Sequence, residues 1–461
     1  MRKYLVALIV IGGAAGVGVA WVMAGRAPGP VLEFEEPTAV GRLGELVLAI
    51  ETPDGELSAL DVVLEQEGQT LQVFSLAGGD AGLTEEGEDR LVLRQPIGRE
   101  RFEALREGDA MLIATAVRPV LFGYREAATR SEHRIEVRLR PPTLGVQSRF
   151  HYVNHGGSEL VVYRVNPADG VTSGVRVGDL EYPGFPAAGA GVEGAEPSLR
   201  AAFFALLWNQ PRDTPITVFV RDRLGNEGST TFDYRIIAKR FRESRITLSD
   251  DFLSRVVPPI LQNTPELRVE DPTDLLAAYV RINGDLRREN DAYVRSLAER
   301  TAPEILWKGP FEQLVNTAVE SGFADQRDYV YDGEVVDRQT HLGFDLASTA
   351  AAPVLAANHG RVVHAGWLGI YGNCVILDHG MGLQSLYAHL SQIDVAPGDM
   401  VTLEQRLGRS GTTGLAAGDH LHFTMLLNGH AVTPVDWWSG QWVEDRILRK
   451  LREAGDPPGG R

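Results

Sequence analysis

Only one cysteine, Cys374, occurs in 461 residues. No intramolecular disulfide can form, and a four-cysteine zinc site is excluded. Any metal must therefore be held by histidine and carboxylate. Positive charge is also in short supply: 45 Lys and Arg stand against 62 Asp and Glu, a net charge of -17. That balance excludes the basic footprint of a nucleic-acid binder. It equally excludes docking on anionic lipid heads through a basic patch. What is present suffices for globular structure. The hydrophobic content of 44% can fill a core, and the length sets a prior of roughly three domains.

Arg2 and Lys3 precede an uncharged run from Leu5 to Ala24. At the helical rise this run spans ~30 Å, enough for a bilayer core. Basic residues come before it and Glu33, Glu35 and Glu36 come after it. That order places the amino terminus in the cytoplasm and the bulk of the chain outside. Residues 1–30 are expected to be a single-pass signal-anchor in a bacterial inner membrane, with the rest in the periplasm. A signal peptide cleaved near Val22-Met23-Ala24 is the alternative.

Residues 31–142 read as a β-rich module. Ile135, Val137 and Leu139 alternate with charged residues, and Thr52-Pro53-Asp54-Gly55 signals a turn. Residues 143–240 read as a second β module. Ile216, Val218 and Val220 alternate, Asp222 to Gly228 turn, and Phe232, Tyr234 and Ile236 alternate again, a hairpin pattern. The Asp222-Arg223-Leu224-Gly225-Asn226 turn resembles those of bacterial immunoglobulin-like modules. Residues 241–310 form a helical connector. A short helix near Asp250 to Val257 should stop before Pro258-Pro259. A longer one, capped by Asp271 or Thr273, should run to about Arg300. Its apolar face is Leu275, Tyr279, Ile282, Leu286, Tyr293 and Leu297. Strand signals return in the terminal domain, 311–445, and 446–461 reads as a tail.

Chemistry concentrates in that terminal domain. It opens with His341-Leu342-Gly343-Phe344-Asp345, continues through Tyr387-Ala388-His389-Leu390 and closes with Gly418-Asp419-His420-Leu421-His422-Phe423. Residues two or four apart on a strand share a face. His341 and Asp345 then point together, with Gly343 leaving room for an ion. His420 and His422 do the same. His341, Asp345 and His422 offer two neutral nitrogens and a carboxylate to one Zn2+, leaving a fourth position for water. His420 is placed as a general base. His389, from a neighbouring strand, is placed to position the water or stabilise the charge on a tetrahedral intermediate.

These stretches sit in a glycine framework that includes Gly372-Asn373-Cys374-Val375-Ile376-Leu377-Asp378-His379-Gly380 and Gly408-Arg409-Ser410-Gly411-Thr412-Thr413-Gly414. From about Tyr329 to Trp437 the sequence resembles the lysostaphin/LytM-type zinc endopeptidases of peptidoglycan. The resemblance implies a compact antiparallel β-sheet with the site in a groove. It puts the family's metal ligands on His341, Asp345 and His422 and its catalytic histidines on His389 and His420. It also implies cleavage of cross-link or stem peptides. Glu404 stands where the family often has glycine. The expected whole is a mainly β, multidomain, membrane-anchored zinc metalloendopeptidase. The alternative is a non-catalytic scaffold that binds wall or activates another hydrolase.

The remaining histidines have plainer expectations. His359, His364, His379 and His430 lie off the motif, and His151 and His155 lack a matching third ligand, so all read as structural. Cys374 reads as buried and inert. Asn373 and Tyr387 are candidates for substrate contact or for packing. The helix over 271–300 packs on a neighbour or covers the catalytic groove. If it covers the groove, deleting 245–305 should speed wall digestion.

Overall fold

The computed structural model describes residues 2–52, 56–87 and 89–455; of residues 2–9 it describes the backbone only. The turn at 53–55 and the end of the expected tail, 456–461, lie outside the described residues. The chain divides into two compact units, one made of Met1–Pro142 with Arg221–Glu227 and one made of Thr143–Val220 with Gly228–Arg461.

In the first unit a four-stranded and a five-stranded sheet contribute to one core. Alternation explains the packing: Ile135 and Val137 are buried, and the residues between and beside them face out. The uncharged amino-terminal run lies in a helix, Arg2–Ala24. Among the described residues no helix is long and apolar enough to cross a membrane.

In the second unit the strands of residues 143–237 and the terminal sheet share a continuous core. Trp437 donates to Ser158 at 3.1 Å, and Lys450 pairs with Glu159 at 2.8 Å, both charges buried. The expectation of a tail from residue 446 therefore fails as far as Gly455. Residues Arg449–Gly455 are helical, and Leu451 is buried with Lys450. The expected hairpin also differs. Ile216–Asp222 is hydrogen-bonded to Glu227–Thr230, and Asp222 accepts from the backbone of Leu224 and Asn226 at 2.9 Å. Tyr234–Ile237 leaves that hairpin and pairs in parallel with His151–Asn154.

The connector helices depart from expectation in two instructive ways. The first, Asp250–Asn263, starts on a Ser249 cap and runs straight through Pro258 and Pro259. Both prolines lie on its exposed side, where the carbonyls they leave without N–H partners can meet water. Leu253, Val256, Val257 and Ile260 bury the other side. The second begins at Leu275, capped by Asp274 rather than by Asp271 or Thr273. A π-helical turn, Ile282–Leu286, interrupts it before Arg287–Ala298. The wider turn shifts the later face by one residue. Asn290, Val294 and Ala298 are buried, and the expected Tyr293 is exposed. Leu253, Val257, Tyr279 and Ile282 share a core with Tyr329 and Ile370 of the terminal domain.

The terminal domain is built on an eight-stranded sheet. Its central order is Phe344–Ala347, Leu421–Leu427, Leu383–Leu390 and Asn373–Gly380, antiparallel throughout. Register sets the site. Asp345 lies opposite His422, His422 lies opposite Ala388, and His341 lies opposite Asp325 on a neighbouring strand.

Candidate metal centre and catalytic site

The pairing of Asp345 with His422 brings three ligand-bearing side chains to one point. His341 Nε2 is 2.9 Å from Asp345 Oδ1, His422 Nδ1 is 3.0 Å from the same oxygen, and the two nitrogens are 3.0 Å apart. The three side chains are the one group of this kind among the described residues able to hold a metal ion. Gly343 also makes room for a ligand ring. A Cβ there would meet His422 Cε1 at 2.5 Å and Thr424 Oγ1 at 2.6 Å.

The outward hydrogen bonds orient each ring. His341 Nδ1 donates to the Gly322 carbonyl at 3.1 Å, so its Nε2 faces the cluster as a lone pair when neutral. Thr424 gives its hydroxyl hydrogen to the Leu342 carbonyl at 3.0 Å and so accepts from His422 Nε2, also at 3.0 Å. That leaves His422 Nδ1 as the inward lone pair. Asp345 Oδ2 is held by Arg327 at 3.3 Å, and Arg327 also donates to Ser321 at 2.7 Å. The donor set of two imidazole nitrogens and one carboxylate oxygen fits a single zinc ion.

The other two expected site residues lie beside the cluster. His420 Nε2 is 3.4 Å from Asp345 Oδ1, and its Nδ1 donates to the Gly418 carbonyl at 2.8 Å. His389 Nδ1 donates to the Thr413 carbonyl at 2.8 Å, and its ring centre is 4.9 Å from that of His420. His389 has φ 63°, a left-handed conformation uncommon for a residue with a side chain. All five residues are well shielded from solvent.

Burial and mutual contact set the electrostatics. Burial alone would raise the Asp345 carboxyl, but the His341, His420 and His422 nitrogens that face it outweigh burial when they carry protons and hold that group well below the usual carboxylate range. Burial pushes His422 down to about 4 and His389 well below its ordinary value. Burial works against the charged form of His420 too, but its hydrogen bond to Asp345 and the carboxylate charge raise it overall.

Residues 339–434 match the profile described as Peptidase family M23. The carboxy-terminal region is an M23-family peptidase domain. Among curated proteins, the "DD-carboxypeptidase/endopeptidase Mpg" of Neisseria meningitidis is 37% identical over 130 residues, which is 28% of this chain and 29% of that protein. The "Peptidoglycan DD-endopeptidase ShyA" of Vibrio cholerae is 38% identical over 92 residues, 20% of this chain and 21% of that protein. The chain thus spans under a third of the length of these relatives. Among solved structures, the lysostaphin catalytic domain of Staphylococcus simulans is 29% identical, with a TM-score of 0.25 over 28% of this chain and 98% of that one.

Several M23-domain residues have structural duties. His379 is buried, donating through Nδ1 to the His359 carbonyl and meeting Ser385 through Nε2, both at 2.7 Å. Tyr387 is buried and accepts from Ala357 N at 2.8 Å, which makes it a packing residue. Asn373 donates to the Leu390 carbonyl at 3.2 Å. Cys374 is fully buried, which pushes its thiol up. Outside the domain, His151 and His155 serve backbone carbonyls at Asp233 and Gln210. Glu404 has φ 63°, the conformation that explains a preference for glycine there.

Sequence reasoning missed the supporting residues. Thr424 had a signal: it stands two residues after His422, on the same strand face. Arg327 and Ser321 had none. The connector also reaches the site. Phe252, Arg255, Tyr279, Asn283 and Arg287 help line the cavity of about 490 Å³ into which His341, Asp345, His389, His420 and His422 open.

Proposed function

We propose that this chain is a membrane-anchored zinc endopeptidase that hydrolyses peptide bonds in peptidoglycan stems or cross-links. One observation carries the reading. The two histidines of the metal cluster turn one ring nitrogen each out to a fixed oxygen acceptor and leave the other facing Asp345 Oδ1. Such a set, oriented by its outer hydrogen bonds, is what a catalytic metal site with an open position needs. When bound by His341, Asp345 and His422, zinc would polarise a peptide carbonyl and acidify a water molecule. His420, with Nδ1–H fixed on Gly418, keeps Nε2 available to take a proton at that point and return it to the leaving amine. His389, fixed through Nδ1–H on Thr413, presents Nε2 to orient the attacking water. Peptidoglycan enters as substrate through the M23 match and the likeness to a peptidoglycan DD-endopeptidase.

Residues 1–30 act as a single-pass anchor and place the catalytic domain in the periplasm, with 143–240 an immunoglobulin-like module. Two features of the first unit favour the anchor. The Arg125 guanidinium lies 4.8 Å over the Trp21 ring and donates to the Trp21 carbonyl at 2.7 Å. At the same hairpin tip Phe122 is 98% and Tyr124 78% exposed. Aromatic residues at the end of an apolar run suit a membrane interface.

Zinc analysis combined with digestion of purified wall sacculi tests the catalytic reading. One zinc per chain and released wall fragments are expected. Bound zinc without any released fragment would instead favour the non-catalytic scaffold. For the anchor, the protein should stay in the membrane fraction through a high-salt wash; recovery of a soluble exported chain starting near Gly25 would establish cleavage.

A further inference from the structure

The cavity at the metal cluster has a neighbour of about 700 Å³, and Arg287 and Arg327 line both. Arg245 and Arg338 also face the second cavity. In a chain of net charge -17, this gathering of guanidinium groups beside the site calls for a reason. Two of the four are committed. Arg327 serves Asp325 and Asp345, each at 3.3 Å, and Arg338 pairs with Asp328 at 3.0 Å.

Arg287 is different. Its Nε donates to the Asn283 carbonyl at 3.1 Å and its Nη2 to Asn283 Oδ1 at 2.5 Å. Both acceptors are neutral. Asn283 is itself fully buried and fixed by donation to Asp337 Oδ2 at 2.7 Å. The Asp337–Asn283–Arg287 chain thus holds the guanidinium still without neutralising it. Asn283 lies in the π-helical turn Ile282–Leu286, and Arg287 follows directly. Such turns occur often at functional sites because they re-aim side chains. The two nearest acids on the same helix have other partners within bonding distance. Asp285 is taken by Arg281 and Arg288. Asp291, one turn on from Arg287, accepts from Tyr371 at 3.3 Å; burial raises its carboxyl, and the charges of Arg287 and Arg295 oppose that rise without forming an ion pair.

We infer that Arg287, positioned by Asn283, binds a carboxylate of the substrate peptide where the two cavities meet. The guanidinium fork matches a carboxylate in two parallel hydrogen bonds, and its fixed geometry reduces the entropy lost on binding. The inference rests on the peptidase reading and narrows it: the preferred substrate is an acidic peptide with a free carboxylate to one side of the cleaved bond. It also gives the connector a role as one wall of the substrate site.

The test uses full-length, zinc-loaded protein carrying His420→Ala, so that binding is read without turnover. The probes are an alanyl-glutamyl-lysyl-alanyl-alanine peptide and the same peptide with every carboxyl amidated, titrated by calorimetry. The carboxylate form should bind about tenfold more tightly, the scale of one charge-assisted contact. Adding Arg287→Ala should bring that ratio close to one, and Arg287→Lys should restore part of it, while zinc content holds. Arg288→Ala, at the exposed neighbour, should leave the ratio alone. A ratio unchanged by Arg287→Ala overturns the inference, as does the absence of any preference in the parent. Binding of neither peptide overturns it too. If protein with His420 intact still digests sacculi, the peptidase reading survives that failure.

Discussion

Thr424 accepts a hydrogen bond from His422 Nε2 at 3.0 Å while its own hydroxyl hydrogen goes to the Leu342 carbonyl, also at 3.0 Å. This one side chain fixes which nitrogen of His422 is free for metal. Thr424→Val keeps the shape and removes the acceptor. Zinc affinity should fall by about 10–100-fold, the usual scale for losing such a partner. Competitive zinc titration with a chromophoric chelator reads the change; unchanged affinity would mean that the strand alone orients the ring.

The metal cluster and its neighbours should respond differently to substitution. His341→Ala, Asp345→Ala and His422→Ala each delete a ligand and should abolish stoichiometric zinc. His420→Ala should keep zinc and lose most hydrolysis, by about 10²–10⁴-fold for a proton-transfer group. Elemental analysis beside a sacculus assay separates the two classes. A purified His422→Ala protein that still holds one zinc per chain would refute the ligand assignment.

The connector helix Asp250–Asn263 touches the site rim, where Arg255 donates to the Ala417 carbonyl at 3.0 Å. If the helix gates the cavity, Arg255→Ala should shift the balance toward an open state and raise sacculus digestion by about 2–10-fold. An unchanged rate would leave the helix as a fixed wall. Deleting 245–305 is a poorer test than the sequence suggested, because Tyr329 and Ile370 would lose their packing partners.

Asp436 supplies a pH signature away from the metal. It is buried, accepts from Asn154 at 2.8 Å, and leaves Oδ2 without a partner. Burial raises its carboxyl to about 7, with Glu159 adding to the effect and Asn154, Lys239 and Arg446 opposing it. The folded state therefore holds a proton that the unfolded chain releases above ~4. This contribution to stability is present below pH 4, declines through the window from 4 to 7, and is gone above it. Asp436→Asn should flatten the pH dependence of the urea midpoint in that window, by on the order of 1 kcal/mol per pH unit. Parallel curves for the two proteins would place the proton elsewhere.

Much of the site was legible in the sequence because strand geometry is local. Spacing singled out His420 with His422 and His341 with Asp345, although His341 ends the strand Glu334–His341 and Asp345 belongs to Phe344–Ala347 of another sheet, across a bend at Leu342 and Gly343. The same periodicity misled where an element departs from its ideal period. The π-helical turn at Ile282–Leu286 moved the buried face of the connector from Tyr293 to Asn290 and Val294. Pro258 and Pro259 did not end their helix, because its opposite face is buried. The candidate ligands, their spacing and the acidic, nearly cysteine-free character of the chain could thus be read from residues close together in sequence. The inward nitrogens of His341 and His389 depended on packing, since Gly322 and Thr413 lie 19 and 24 residues away in sequence; Thr424 is local to His422, but its role as acceptor is fixed by Leu342, 82 residues away. The tertiary structure also brought Arg327 to Asp345 and Arg287 to the cavity wall, across 18 and 58 residues of sequence, by packing that no local pattern encodes.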